Sequence, residues 1–524
     1  MSETNKSKKN TLALNIPADG LFLEIIRKAG DDYSKENCFR IMREYIKKQL
    51  DAGVDIVFLN VCYRRSLTPS EVFDSYMYNI ETDENGFAVR DKNGETIKTL
   101  SPVVDAETKY FRAFTTCARR LYQDGIDVFE FLVDEIKKSN AKVYFSLRMN
   151  DGHYTSNPSI NSTFAMKNNG ANTIDKNGVE LDYSLKVVQN YFTEYIKELL
   201  NKYDVDGIEL DWIRHPKILP ESKRSDLSIM TNYMKNIRKL LDGKNKNLGL
   251  AVRVLTNEKD NITNGVDVSG WVAEGCVNLV TIENFYIPTN FEMPISNWKD
   301  SISKRNLNNN PYLLLCGSDW AVSCVPYYNF TMSPALVRGF ANECLNKGAD
   351  GVYLFNFFED GADSSYELAL DENNKPYLKN CFEERIKAGK EPNLLPRRLV
   401  HCDDMFGRYP ITIKGGLEYV FNSRITSPYN KCEVVVGVDK NVNLVLKVNG
   451  NESDKFINKE TYKGFEYIPE DKINKSGFVH ALSQIAPFVK GATLIGVSDG
   501  IVSLTIKNDS QEDVNVLWIE VSFS

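Results

Sequence analysis

VDGIELDWIRHP, residues 205–216, begins as an apolar strand and ends in a cluster of charge, with Glu209, Asp211, Arg214 and His215 close together. Successive side chains of a strand point to opposite faces, so Ile208 and Leu210 share one face while Glu209 and Asp211 share the other. A lone buried carboxylate is costly. Two on one face therefore line a polar space or are held by cations, and Arg214 and His215 are near enough in sequence to be such partners.

Outward from this strand, residues 11 to about 360 alternate short β-rich runs with helical patterns, as parallel strands joined by crossover helices do. The reading gives eight strands: 12–16, 54–60, 143–148, 205–211, 248–254, 277–283, 312–316 and 351–356. Amphipathic segments at 35–51, 185–202 and 333–347 are among the helices between them. Eight such repeats predict a closed (β/α)8 TIM barrel. Residues 21–26 are a rival for the first strand, and the eight-fold count holds with either. Two loops are long: 61–106, with a hairpin signal at Asn93-Gly94, and 149–183, rich in Asn, Ser and Gly.

Past about Pro392 the pattern changes to strands separated by polar turns, at 431–438, 443–448, 501–506 and 514–523. This predicts a C-terminal β-sandwich. The expected division is a barrel at 11–382, a linker at 383–397 and the sandwich at 398–524.

The chain has 524 residues, with 64 Lys and Arg against 71 Asp and Glu, a net charge of -7 and no basic block. That balance argues against a nucleic-acid partner. The opening MSETNKSKKN is polar and no long apolar run follows it, so neither a signal peptide nor a membrane span is expected, and the expected location is cytoplasmic. Ten cysteines lie scattered without a Cys-x-x-Cys pair, which predicts reduced, buried thiols rather than disulfides or zinc ligands. The expectation is therefore no cofactor and no metal; a homo-oligomer is left open.

Barrels of this kind carry their sites at the carboxyl ends of the strands. Here those ends offer Asn60 with Tyr63, Arg64 and Arg65; Arg148 with Asn150, Asp151 and His153; then Glu209, Asp211, Arg214 and His215. Arg253, Glu283 with Asn284, Asp319 with Trp320, and Asn356 follow on the later strands. Convergent acids, cations and amides are what a ligand site requires.

Glu209 and Asp211 suit glycoside hydrolysis, in which one carboxyl group protonates the leaving oxygen and another attacks or activates water. The other reading buries Glu209 in an ion pair with Arg253 or Arg148 and leaves Asp211 alone to reach substrate. Asp151 with His153 offers a second acid/base pair, since a carboxylate orients an imidazole; the plainer reading is a pair that structures its loop. Arg148 and Arg214 can fork onto a substrate carboxylate or neutralise the two acids. Trp212, Trp320 and the Tyr327-Tyr328 pair offer flat faces for sugar rings or belong to the core. The expected catalytic set is Asp151, His153, Glu209 and Asp211. Asn60, Arg148, Trp212, Arg214, His215, Glu283, Trp320 and Asn356 are the expected substrate-binding residues.

On VDGIELDWIRHP, residues 11–360 resemble the glycosyl-hydrolase-like family 10 barrels and the (β/α)8 glycosidases around them. The same segment is similar to the DGxDxDxE motif of family 18 chitinases, with Asp206, Gly207, Glu209 and Asp211 in register and Ile213 at the place of the catalytic glutamate. Ile213 cannot donate a proton, which excludes the chitinase mechanism. RMNDGH, residues 148–153, resembles the Asp-x-His pair of glycoside hydrolase family 156, an inverting exo-sialidase family with a barrel and a β-sandwich. That resemblance implies proton chemistry by Asp151 and His153, an acidic sugar such as sialic acid held by Arg148 or Arg214, and further site residues at Asp19 and Asn356. ITIKGGLEYVF (411–421) and VSLTIKN (502–508) resemble galactose-binding-like sandwiches.

The leading expectation is thus a glycoside hydrolase acting on a carbohydrate substrate. Two rivals stand beside it: a metal-dependent hydrolase or deacetylase with Asp151, His153, Asp211 and His215 as ligands, and a carbohydrate-binding protein without catalysis. The first lacks the His-x-His or His-Glu-x-x-His spacing of specific metal motifs.

Overall fold

The computed structural model of the chain describes residues 10–101, 109–152, 155, 157, 160–176, 178–284, 291, 293–319, 333–356, 366–370, 376–402, 410–425, 430–452, 456–458, 488–495 and 500–524. It falls into two compact units, one of residues 13–283 and 296–315, the other of residues 1–12, 284–295 and 316–524.

Eight strands close into a barrel in chain order. They are β1 (Thr11–Ile16), β2 (Ile56–Cys62), β3 (Lys142–Arg148), β4 (Gly207–Asp211), β5 (Gly249–Leu255), β6 (Leu279–Glu283), β7 (Leu313–Asp319) and β8 (Gly351–Phe355). All eight expected strands are present within a few residues of their predicted ends. The rival first strand is helical: residues 21–26 lie inside the helix Ala18–Ala29, where Leu21, Phe22, Ile25 and Ala29 are buried at helical spacing.

The helices form where the sequence caps and stripes them. Lys35–Asp51 starts at Ser34, whose hydroxyl accepts the Asn37 N–H, and buries Cys38, Ile41, Met42, Tyr45, Ile46 and Gln49 along one face. Val128–Lys137 starts at Asp127, which accepts from the N–H groups of Phe129 and Glu130.

Paired strands from β1 to β6 run parallel, with one register shift on β2 between Asn60 and Cys62. Asn15 stands opposite Phe58; Asn60, Ser146, Glu209 and Ala251 stand in one row, and Arg148, Asp211, Arg253 and Thr281 in another. Neighbours in register share a face, so these rows face the barrel interior, while Ile208 and Leu210 face the helices.

At the amino-terminal end of the barrel, Tyr144 lies across Gly207 and Gly249. A Cβ at either glycine would overlap the Tyr144 ring, and at Gly207 it would also come to 2.6 Å from the Gly249 carbonyl oxygen. Phe58 packs on Tyr144 with ring centroids 5.2 Å apart. Burial pushes the Tyr144 phenol up to about 12. Gly207 is thus required by its neighbour rather than by a turn.

The loop after β2 carries a ribbon of Tyr78–Ile80 with Lys98–Leu100, and the expected turn at Asn93-Gly94, where the Gly94 N–H reaches the Asp91 carbonyl at 3.0 Å. Gly94 has φ +83°, a left-handed conformation suited to glycine.

Beyond the helix Phe382–Ala388, two antiparallel sheets match the expected C-terminal β-sandwich. One orders Arg397–Cys402, Val514–Phe523, Lys431–Val438, Phe488–Ile495 and Phe456–Asn458; the other orders Glu418–Ile425, Gly500–Asn508, Leu444–Val448 and Asn451–Glu452. Val502, Leu504 and Ile506 alternate inward along one strand, the period a sandwich requires. Cys38, Cys62, Cys117, Cys276, Cys316, Cys344, Cys381 and Cys432 are buried free thiols. Among the described residues no helix is long and apolar enough to cross a membrane.

Candidate active site

An eight-stranded barrel of this type staggers by about one residue per strand, so its interior layers come from alternate strands. Arg253 fixes the direction here, because it reaches Glu283, two residues beyond its register partner Thr281. Asn60, Asp211 and Glu283 then share a layer from β2, β4 and β6. Asn15, Ser146 and Arg253 lie below them, and Phe58, Glu209 and Thr281 below those.

Arg253 is the hub of the two upper layers. Its Nη1 donates to Asp211 Oδ2 at 2.6 Å, while Nε and Nη2 donate to the two oxygens of Glu283 at 2.7 and 2.9 Å. All three side chains are at most 1% exposed. Asp211 Oδ1 accepts the Ile213 N–H at 3.1 Å, which fixes the carboxylate at both oxygens. Glu209, fully buried, accepts from the Ser146 hydroxyl at 2.7 Å. Arg253 stands in register with Asp211, and its head points toward the carboxyl ends of the strands, where Asp211 and Glu283 take its donors.

A second cluster forms at the end of β3. Arg148 Nη1 donates to Asp151 Oδ2 at 3.0 Å, and the guanidinium stacks over Tyr63 at 4.3 Å from the ring centroid. Burial pulls the neighbouring Arg64 guanidinium down, and the charge of Asp151 opposes that pull. Burial likewise pushes the Cys62 thiol up; the Asp151 charge adds to that shift, and Arg64 and Arg148 oppose it.

His215, half-buried, has φ +55°, a left-handed backbone that is uncommon for a side-chain-bearing residue and is held here from several sides. Its Nδ1 accepts the Gly152 N–H at 2.9 Å, which puts the ring proton on Nε2. Asn150 donates to the carbonyls of His215 and Lys217 at 3.1 and 2.8 Å and accepts from the Leu181 N–H. The segment after β4 is thereby tied to the segment after β3.

The expected residues are thus partly brought together. Asp211, Glu283 and Arg253 form one network, Arg148 and Asp151 another, with Asn60 and Glu209 in the barrel interior. Trp212 departs from its expected part: it alternates outward from Asp211 and is buried with Tyr183 and Tyr233, at centroid distances of 5.0 and 6.4 Å, so it offers no open face to a sugar. Arg214 is buried beyond it. Asn356, with φ +48°, donates to both oxygens of Asp319 at 3.3 and 3.2 Å. His153 and Trp320, and the side chain of Asp19, lie outside the described residues.

Among the described residues no group of three or more His, Cys, Asp or Glu could hold a metal. Of the rival ligand quartet, Asp151 and Asp211 are each taken up by an arginine.

Two contributions had no signal in the strand-end inventory. Asn15 is fully buried within TLALNI, where an amide on the inward alternation of an apolar strand is the only mark. Asp74, also fully buried, accepts from the Ile80 N–H at 2.7 Å, the Thr163 hydroxyl at 2.8 Å and the Phe164 N–H at 3.2 Å. It joins the two long loops. Arg65 reinforces that joint, donating to the Asn161 carbonyl at 2.7 Å and to Asn79 Oδ1 at 2.7 Å.

No protein-family model matches the chain, and no curated protein matches it. Among solved structures it is similar to a cycloisomaltooligosaccharide glucanotransferase from Paenibacillus sp., at 9% identity and TM-score 0.33, over 98% of this chain and 58% of that one. It is also similar to the PgaB glycoside hydrolase domain from Bordetella bronchiseptica, at 9% identity and TM-score 0.39, over 66% and 94% of the two chains. An Anoxybacillus alpha-amylase aligns at 12% identity and TM-score 0.39, over 95% and 99%. The chain thus spans little more than half the length of the glucanotransferase. The fold assignment rests on the strand order, not on these likenesses.

Proposed function

We propose that the barrel is a glycoside hydrolase, acting at the end of an oligosaccharide or glycoconjugate that carries an acidic sugar. The observation that carries this reading is the cluster of fixed carboxylates inside the barrel: Asp211 and Glu283 both bind Arg253, and Glu209 is buried on the same face of β4 as Asp211. Glycosidic cleavage passes through an oxocarbenium-like state, positive at the anomeric carbon. Fixed negative charge in a water-poor site stabilises that state without reorganising.

Asp211 is the carboxylate facing the reacting carbon, since it stands in the upper layer and both its oxygens are held. Asp151 is the second carboxyl group of the pair, acting with His153. Two cations near Asp151, Arg148 at the end of β3 and Arg64 just beyond β2, support an acidic sugar: Arg148 pairs with Asp151, whose charge also acts on Arg64. Arginine's planar fork matches a sugar carboxylate.

The test is Asp211→Asn and Asp151→Asn, each assayed on aryl glycosides that include sialosides and uronides. Each variant is expected to lose at least ~10²-fold in kcat while keeping its fold, the scale of a removed electrostatic or proton-transfer contribution. Unaltered turnover of a cleaved glycoside by both variants overturns the reading.

A further inference from the structure

Three side chains inside the barrel have polar atoms without a hydrogen-bond partner among the described residues: both amide atoms of Asn15, Oδ1 of Asn60 and Oγ1 of Thr281. All three residues are 0% exposed. The stagger of the strands places Asn15 in the layer of Arg253, Asn60 in that of Asp211 and Glu283, and Thr281 with Glu209 one layer down. They therefore border the charged network without belonging to it.

A buried amide without a partner forfeits its hydrogen bonds to water, and an apolar residue of similar size removes that penalty. Asn15 sits between leucine and isoleucine in TLALNI, so the strand itself would accept such a residue. Unsatisfied buried groups that persist call for a reason, and a ligand's polar atoms are one.

We infer that Asn15 and Asn60 read hydroxyl groups of a sugar ring seated against Asp211, and so set which sugar the barrel accepts. A hydroxyl both donates and accepts. The Asn15 carboxamide offers Nδ2–H and Oδ1 side by side and can engage two vicinal hydroxyls at once. Asn60 already gives its Nδ2 to the Ser146 carbonyl at 3.4 Å, so its Oδ1 takes a hydroxyl proton. Neutral amides discriminate by position, not charge: a deoxy analogue would leave them buried and unpaired, which is the strongest form of rejection a site can apply.

The inference rests on the reading that the barrel takes a sugar, and its readout is binding rather than turnover. Asn15→Leu and Asn15→Ala are compared with the wild-type chain by thermal unfolding and calorimetric titration. The probes are N-acetylneuraminic acid, glucuronic acid, glucose, galactose, fucose and N-acetylglucosamine. At least one probe is expected to bind the wild type, with both variants binding it at least about tenfold more weakly, the equivalent of one lost hydrogen bond. Without sugar, Asn15→Leu is expected to melt no lower than wild type, unlike a residue the fold needs. Unchanged affinity in either variant, no probe binding the wild type, or both variants melting well below it overturns the inference. Sugar binding lost in the Asn15 variants of a barrel that cleaves no glycoside removes only the glycosidase reading.

Discussion

Arg253 grips Glu283 through two parallel bonds, Nε to Oε2 at 2.7 Å and Nη2 to Oε1 at 2.9 Å, with both side chains buried inside the barrel. Its remaining nitrogen, Nη1, goes to Asp211, so one guanidinium holds carboxylates on both neighbouring strands. Removing one member of a buried ion pair leaves a charge uncompensated, at about 3–5 kcal/mol. Arg253→Met is expected to lose stability on that scale in urea unfolding. The triple variant Arg253→Met, Asp211→Asn, Glu283→Gln should recover much of it, and recovery of none would mean the arginine acts by packing alone.

Gly207→Ala is expected to destabilise the barrel by ~1–3 kcal/mol, the usual range for overpacking. Its methyl group would meet the Tyr144 ring and the Gly249 carbonyl. Adding Tyr144→Val should return part of the loss, so the two changes together cost less than their sum. Thermal unfolding of the two single variants and the pair checks this.

Asp74→Ala is expected to loosen the joint between the two long loops while leaving the barrel standing. It strips acceptors from the N–H groups of Ile80 and Phe164, a loss of roughly 1–3 kcal/mol confined to that region. Hydrogen exchange should quicken at those two amides and stay slow in β3 and β4. Equal quickening in the strands would show that the joint is part of the global fold.

Glu198, on the helix Lys186–Lys202, accepts from the Ser70 hydroxyl and the Glu71 N–H. Burial raises its carboxyl above the ordinary value, and these two bonds offset only part of that rise. A raised carboxyl favours the protonated folded state: its contribution is fully present below the unfolded value near 4.3 and is lost as pH rises through the folded value. Glutamine mimics the protonated form. Glu198→Gln should therefore melt at or above wild type at pH 7, with the advantage shrinking toward pH 4; an advantage that grows on acidification contradicts the sign.

The alternation in VDGIELDWIRHP puts Glu209 and Asp211 on one face, and Trp212, expected at the sugar, follows the same alternation outward into the core. The limit of that alternation is the partner. Which carboxylates Arg253 meets depends on the pairing register of β4 with β5 and on the stagger around the closed ring, and neither is written in a single strand. The same holds for residues 21–26: their apolar run fits a strand or a helix until the buried positions at Leu21, Phe22, Ile25 and Ala29 reveal the period. Asp74 was illegible because its partners, Ile80, Thr163 and Phe164, come from two loops whose meeting no periodicity encodes.

Tyr144, Gly207 and Gly249 lie on three consecutive strands, and the tyrosine occupies the volume that side chains at the two glycines would need. This interlock predicts covariation: in a homologue, a larger residue at the place of Gly207 or Gly249 should accompany a smaller one at the place of Tyr144. Because the dependence is steric and lies away from the charged network, it should persist in lineages whose chemistry has diverged, and the triplet can serve as a marker of common descent for a chain that no family model matches.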